Sequence, residues 1–136
     1  SLEGDVSQCW WFDREGFLFA KAPDTEGGLI YKVNDFSGRP LGVGSFIFPQ
    51  KHFIDTMMDI FDVVHSVDIG VRTFEVHALE NQEMVAVAEG MPAIYFSLRI
   101  DPHFTRTALR NLIAIGLSTM RYIDLRVENR VYYTLR

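Results

Sequence analysis

Between Ala93 and Ile100 the side chains alternate without a break. Ile94, Phe96, Leu98 and Ile100 fall on one side, and Tyr95, Ser97 and Arg99 on the other. Successive side chains of a strand point to opposite faces, so this run predicts a strand with one face in a core and the other face wetter. A strand of that kind needs neighbours along its edges and a layer over its apolar face. The rest of the chain reads as those neighbours and that layer.

Val71 to Leu79 repeats the alternation, with Phe74, Val76 and Ala78 on the core side. Asn81-Gln82 breaks it, Met84 to Ala88 forms the next strand, and Glu89 to Pro92 turns the chain into Ala93. Upstream, Gln8 to Phe12, the turn Asp13-Arg14-Glu15-Gly16 and Phe17 to Ala20 read as a hairpin. One of Trp10 and Trp11 is expected in the core. Pro23 to Gly28 reads as loop, Leu29 to Val33 as a third strand, and the glycine-rich Phe36 to Ser45 as a second loop before apolar Phe46-Ile47-Phe48.

The covering layer is helical. Phe53, Met57, Phe61 and Val64 fall at i, i+4, i+8 and i+11, an apolar stripe of helical period. That helix is expected to begin near Pro49 and end between Ser66 and Asp68. A second stripe, Leu109, Leu112, Ile113, Leu117 and Met120, follows Asp101-Pro102. Aspartate before proline suits a helix start, and Arg121 would then sit at the helix C-terminus. Two β-prone runs, Tyr122 to Val127 and Arg130 to Leu135, close the chain. A three-residue loop there would set Val127 opposite Val131 and Leu125 opposite Tyr133 and keep the apolar face continuous. The reading is therefore α+β: a largely antiparallel sheet, two helices on one face, and the last strand at or near the sheet edge. Residues 1–136 read as one domain.

Composition narrows the function classes. The net charge is −5 with no basic cluster, which disfavours nucleic acid as a partner. One cysteine, Cys9, excludes an internal disulfide and a cysteine-rich metal site. No apolar run reaches the roughly 20 residues that span a bilayer.

Candidate chemistry is sparse. His52, His65, His77 and His103 are scattered. Glu75 and His77 share a strand face and suit an acid–base pair, although a solvated pair is the preferred reading. Asp55, Asp59 and Asp62 line one helix face and read as a solvated acidic face in preference to a hard-metal site. Gly38, Gly42 and Gly44 lack the ending of a phosphate loop. The serines lack a nucleophile elbow, and Cys9 lacks a partner histidine. On these grounds no enzyme, no catalytic residue, no metal and no cofactor are expected.

The two ends carry a resemblance. Tyr122-Ile123-Asp124-Leu125-Arg126, a polar turn, and Arg130-Val131-Tyr132-Tyr133 resemble the end of the extracytoplasmic β domain of the bacterial cell-division family FtsQ/DivIB. Cys9 to Pro23 is similar to that family's entry into the same domain. The resemblance implies a divisome scaffold that binds FtsB/DivIC-like and FtsL-like proteins by strand addition at its C-terminal strand. Carried over by position, the partner-binding residues are Val127, Glu128, Asn129, Arg130, Val131, Tyr132, Tyr133 and Thr134. It also implies a full-length protein anchored by one membrane span at the division site, on the extracytoplasmic face, with no homo-oligomer. Residues 1–8 would then be an expression remnant or the end of a preceding POTRA domain. Two alternatives stand beside it: a hydrolase or metal-dependent enzyme using Glu75 and His77, and a POTRA-like adaptor of another envelope system.

Overall fold

The computed structural model describes residues 8–23 and 31–136. Leu29 and Ile30 of the expected third strand, and the loop 24–28, lie outside the described residues. The hairpin β1 (Cys9–Phe12) and β2 (Leu18–Ala22) is a two-stranded sheet of its own. Among the described residues the main sheet has six strands: β3 (Lys32–Asp35), β4 (Thr73–Val76), β5 (Glu83–Val87), β6 (Ala93–Ser97), β7 (Met120–Leu125) and β8 (Tyr132–Leu135). They lie side by side in chain order. Helix α1 (Lys51–Val67) separates β3 from β4, and α2 (Thr105–Ile115) separates β6 from β7.

The fold class is the expected α+β, with one refinement. The β4–β5, β5–β6 and β7–β8 pairs are antiparallel, while β3–β4 and β6–β7 are parallel. The parallel pairs fall where a helix joins the strands, because a chain that returns in the same direction needs a long crossover. The sheet is thus mixed and mostly antiparallel.

The core forms between the helices and one sheet face. Phe74, Met84, Ile94, Phe96, Ile123 and Leu125 come from the sheet, Met57, Ile60, Val63 and Val64 from α1, and Leu109 from α2. Burying one such side chain contributes about 1.5–3 kcal/mol. Tyr31, Phe61 and Phe74 form an aromatic cluster, with Tyr31 stacked on Phe61 at 4.6 Å between centroids. Trp11 is the more exposed of the tryptophans, and Trp10 packs against the core.

Two boundaries differ from expectation. Within the described residues the third strand runs Lys32–Asp35, past the expected end at Val33, because its backbone follows β4: Lys32 N–H donates to Arg72 O and Phe36 N–H to Val76 O. The second helix stops at Ile115, short of Met120. Gly116 takes φ +118° there, a conformation glycine adopts at no steric cost. Leu117 is then buried from a 3₁₀ turn, Met120 begins β7, Ile113 is left part exposed, and Arg121 sits on β7 rather than at a helix end.

The C-terminal register also differs. Ile123 faces Tyr133 and Asp124 faces Tyr132, so the connection is longer than three residues. Arg126 N–H is captured by Asp124 Oδ1, Arg130 N–H by Val127 O, and Asn129 turns at φ +61°. These local bonds hold Arg126 to Arg130 out of the ladder. Within the expected site Val127 to Thr134, only Tyr132, Tyr133 and Thr134 are on a strand.

Candidate metal centre and sheet edge

The turn between β6 and α2 begins at Asp101. Its carboxylate accepts the N–H of His103 at 2.9 Å, and Pro102 occupies the first turn position. That cap aims both Asp101 and His103 out of one short 3₁₀ turn, Pro102–Phe104, which packs on α1. Asp59 comes from α1. One potential ligand atom from each of Asp59, Asp101 and His103 lies within 4.8 Å of the other two. Asp59 is half-buried, and Asp101 and His103 are exposed. His103 Nδ1 also hydrogen-bonds Asp101 Oδ1. The backbone N–H of His103, and then its ring, hold the Asp101 carboxyl below its ordinary value, so it stays an ionised acceptor. Arg106 Nε donates to Ser66 Oγ at 2.9 Å, a further tie between the two helices.

The expectation that the chain is no enzyme is corrected by this cluster, which is able to hold a divalent ion. Two oxygen donors and an imidazole are the donor set of divalent-metal sites. Sequence reading missed it because Asp59 is far along the chain from the other two residues. Asp59 read as one of three solvated acids, and His103 as one of four scattered histidines. The Asp101-Pro102 cap was the available signal, since it fixes where the following histidine points.

The other sequence candidates stay apart from this centre. His77 Nε2 and Glu75 Oε1 are 2.9 Å apart on the open sheet face, and Phe36 stacks on the His77 ring at 5.1 Å. Asp55 pairs with Lys51. Among the described residues, no other group of three such ligands converges. Cys9 is half-buried on β1.

The second candidate feature is the outer side of β8, the terminal strand of the sheet among the described residues. Tyr132, Tyr133 and Leu135 are exposed there, as is Val127 in the preceding turn, while Thr134 and Val131 are half-buried. Glu128, Asn129 and Arg130 lie on the exposed turn. Inland of β8, Arg126 grips Asp124 with two bonds of 2.8 Å, reaches Glu83 at 3.2 Å, and lies over Tyr95 at 4.8 Å.

The ion pairs make an acid-side prediction. Hydrogen bonds from Arg126 hold the Asp124 carboxyl below its ordinary value against the opposing effect of burial. Burial alone would raise Asp35, but hydrogen bonds from Ser37 and Arg39 outweigh it and leave this carboxyl lowered too. A carboxyl with a depressed folded-state pKa stabilises the fold above its unfolded value of about 4 and loses that stabilisation as pH falls through the folded value. Urea midpoints should therefore fall as pH drops from 5 towards 2. The Asp35→Asn, Asp124→Asn double variant should show a shallower fall.

Comparison with protein-family models, with curated proteins and with solved structures returns no match. Among the described residues no helix is long and apolar enough to cross a membrane.

Proposed function

We propose that this domain binds a divalent metal ion through Asp59, Asp101 and His103 and supports metal-assisted hydrolysis there. The convergence of the three donors carries the reading. Three protein ligands leave coordination positions for water and substrate, as in catalytic zinc sites, and a bound divalent ion lowers the pKa of its water towards about 7. The exposure of Asp101 and His103 leaves the open positions accessible from solvent. The donor set suits zinc or manganese better than calcium, which prefers oxygen ligands alone.

Calorimetric titration with zinc and manganese chlorides tests this. One ion per chain is expected, and His103→Ala and Asp59→Asn should each weaken binding by at least about tenfold. The zinc-loaded protein should hydrolyse 4-nitrophenyl acetate faster than the metal-free protein, and the variants should not. Equal affinity in wild type and both variants would remove the site.

A second reading is favoured by the place of β8 at the sheet edge. We propose that a partner strand adds to β8, the mode the FtsQ/DivIB resemblance implies with FtsB/DivIC-like and FtsL-like division proteins on the extracytoplasmic side. Support comes from the exposed Tyr132 and Tyr133 and from a terminal run with no proline. Main-chain bonds supply affinity in such pairing. Hydrogen exchange tests it: adding the extracytoplasmic segment of an FtsB/DivIC-like protein should slow the β8 amides that point away from β7. Unchanged exchange at a saturating concentration speaks against it.

A further inference from the structure

Arg106 lies on the first turn of α2, three residues after His103. Side chains three apart along a helical run are neighbours, with Cβ atoms about 5–6 Å from each other. Both of these reach across to α1: His103 meets Asp59, and Arg106 meets Ser66. Asp59 and Ser66 are seven residues apart, so they share one face of α1 at two turns' spacing, about 10.5 Å along its axis. The three metal donors and the guanidinium therefore lie along one seam between the helices.

That guanidinium is held in place without being neutralised. Its Nε donates to Ser66 Oγ at 2.9 Å, and the Ser66 hydroxyl gives its own proton to Val63 O at 2.8 Å. Arg106 is half-buried. Arg39 and Arg126 each grip a carboxylate, whereas no carboxylate among the described residues pairs with Arg106. A neutral partner at Nε leaves the two terminal nitrogens with their charge. Their N–H groups form the planar fork that fits two oxygens of one anion.

We propose, resting on the metal reading above, that the substrate is a phosphate monoester whose phosphoryl group bridges the ion and Arg106. The chain carries a net charge of −5, and two of the three metal donors are carboxylates. A dianion comes to such a site only where positive charge is set against them. A phosphoryl group has three peripheral oxygens, so one can lie on the ion while two take the fork. A carboxylate has too few oxygens for both. In the reaction, water on the ion gives a proton to solvent and its oxygen bonds to phosphorus. The ester P–O bond breaks, its electron pair stays on the alcohol oxygen, and that oxygen takes up a proton. The products are the alcohol and inorganic phosphate. Arg106 selects this class over a neutral ester, which offers the fork no anionic oxygens.

The zinc-loaded protein is assayed on 4-nitrophenyl phosphate and on 4-nitrophenyl acetate. Arg106→Gln keeps a donor for Ser66 and removes the charge and the fork. It should lower the ratio of kcat/KM for the phosphate to that for the acetate by about tenfold or more, and Arg106→Lys should recover part of the loss. Arg121→Gln, exposed on β7, should leave the ratio as it is. Calorimetric titration with phenylphosphonate reads binding apart from turnover, and Arg106→Gln should weaken it by a similar factor. One zinc per chain with an unchanged ratio and unchanged phenylphosphonate affinity in Arg106→Gln would overturn the proposal and leave the metal site standing. Acetate hydrolysis without turnover of the phosphate would do the same. A wild type that binds no zinc would remove the metal site and this proposal together. If Arg106→Gln does not fold, Ser66→Ala, which releases the guanidinium, decides by the same ratio.

Discussion

Replacing Phe74 with alanine is expected to destabilise the domain by about 3–5 kcal/mol, the usual range for a fully buried phenylalanine. Phe74 has no exposed surface. Its ring lies 5.0 Å from that of Phe61 and 6.1 Å from that of Tyr31. It sits on β4, the strand that accepts β3 on one side and β5 on the other. Truncation would leave a cavity at the junction of α1 and the sheet, and well-packed neighbours refill such cavities only in part. Against a typical total of about 5–15 kcal/mol, the variant would be marginal or unfolded. Urea denaturation followed by tryptophan fluorescence measures it. Phe36→Ala is the control, because Phe36 is 57% exposed and its loss should change the unfolding free energy by about 0.5 kcal/mol or less.

Gly16→Ala should be the most damaging alanine substitution at any described glycine, at about 2–4 kcal/mol from two separate costs. The first is conformational: Gly16 has φ +76°, where a Cβ costs about 1–2 kcal/mol. The second is contact. A Cβ there would lie 2.7 Å from Ile54 Cδ1, 2.9 Å from Ile54 Cγ1 and 3.0 Å from Ile47 Cγ2. Both isoleucines are buried, so relief requires moving the core against α1. Gly90 separates the terms. It has nearly the same φ, +77°, with nothing within 4 Å of its Cβ position. Gly90→Ala therefore measures the conformational cost, and the difference between the two variants measures the contact. Equal thermal midpoints for the two would show that the hairpin turn yields without disturbing Ile54.

Most of the architecture was legible because period is a local property. The stripe from Phe53 to Val64 and the alternation from Ala93 onwards needed no knowledge of the rest of the chain. The failures share a cause. The end of α2 was set by one glycine against an apolar pattern that runs on through Leu117 and Met120, and those two residues are buried from a turn and a strand instead. The parallel pairing of β3 with β4 depends on where α1 delivers the chain. The last hairpin follows the bonds that Asp124 makes to Arg126, which override the simple face count. The meeting of Asp59, Asp101 and His103 was the least legible feature. It joins a helix to a distant turn, and no short spacing records that junction.

The strand order carries a kinetic consequence. Each strand of the main sheet lies beside its neighbour in the chain, from β3 through β8. No strand has to slide between two that have already paired. A nascent chain leaving the ribosome can extend the sheet at one growing margin, each addition using the strand just made. The slow steps are then the two helix-bearing crossovers, whose loop-closure cost precedes any gain from pairing. Of these six strands β8 is made after the others and joins after them, and until it does β7 stands as the temporary margin of the sheet.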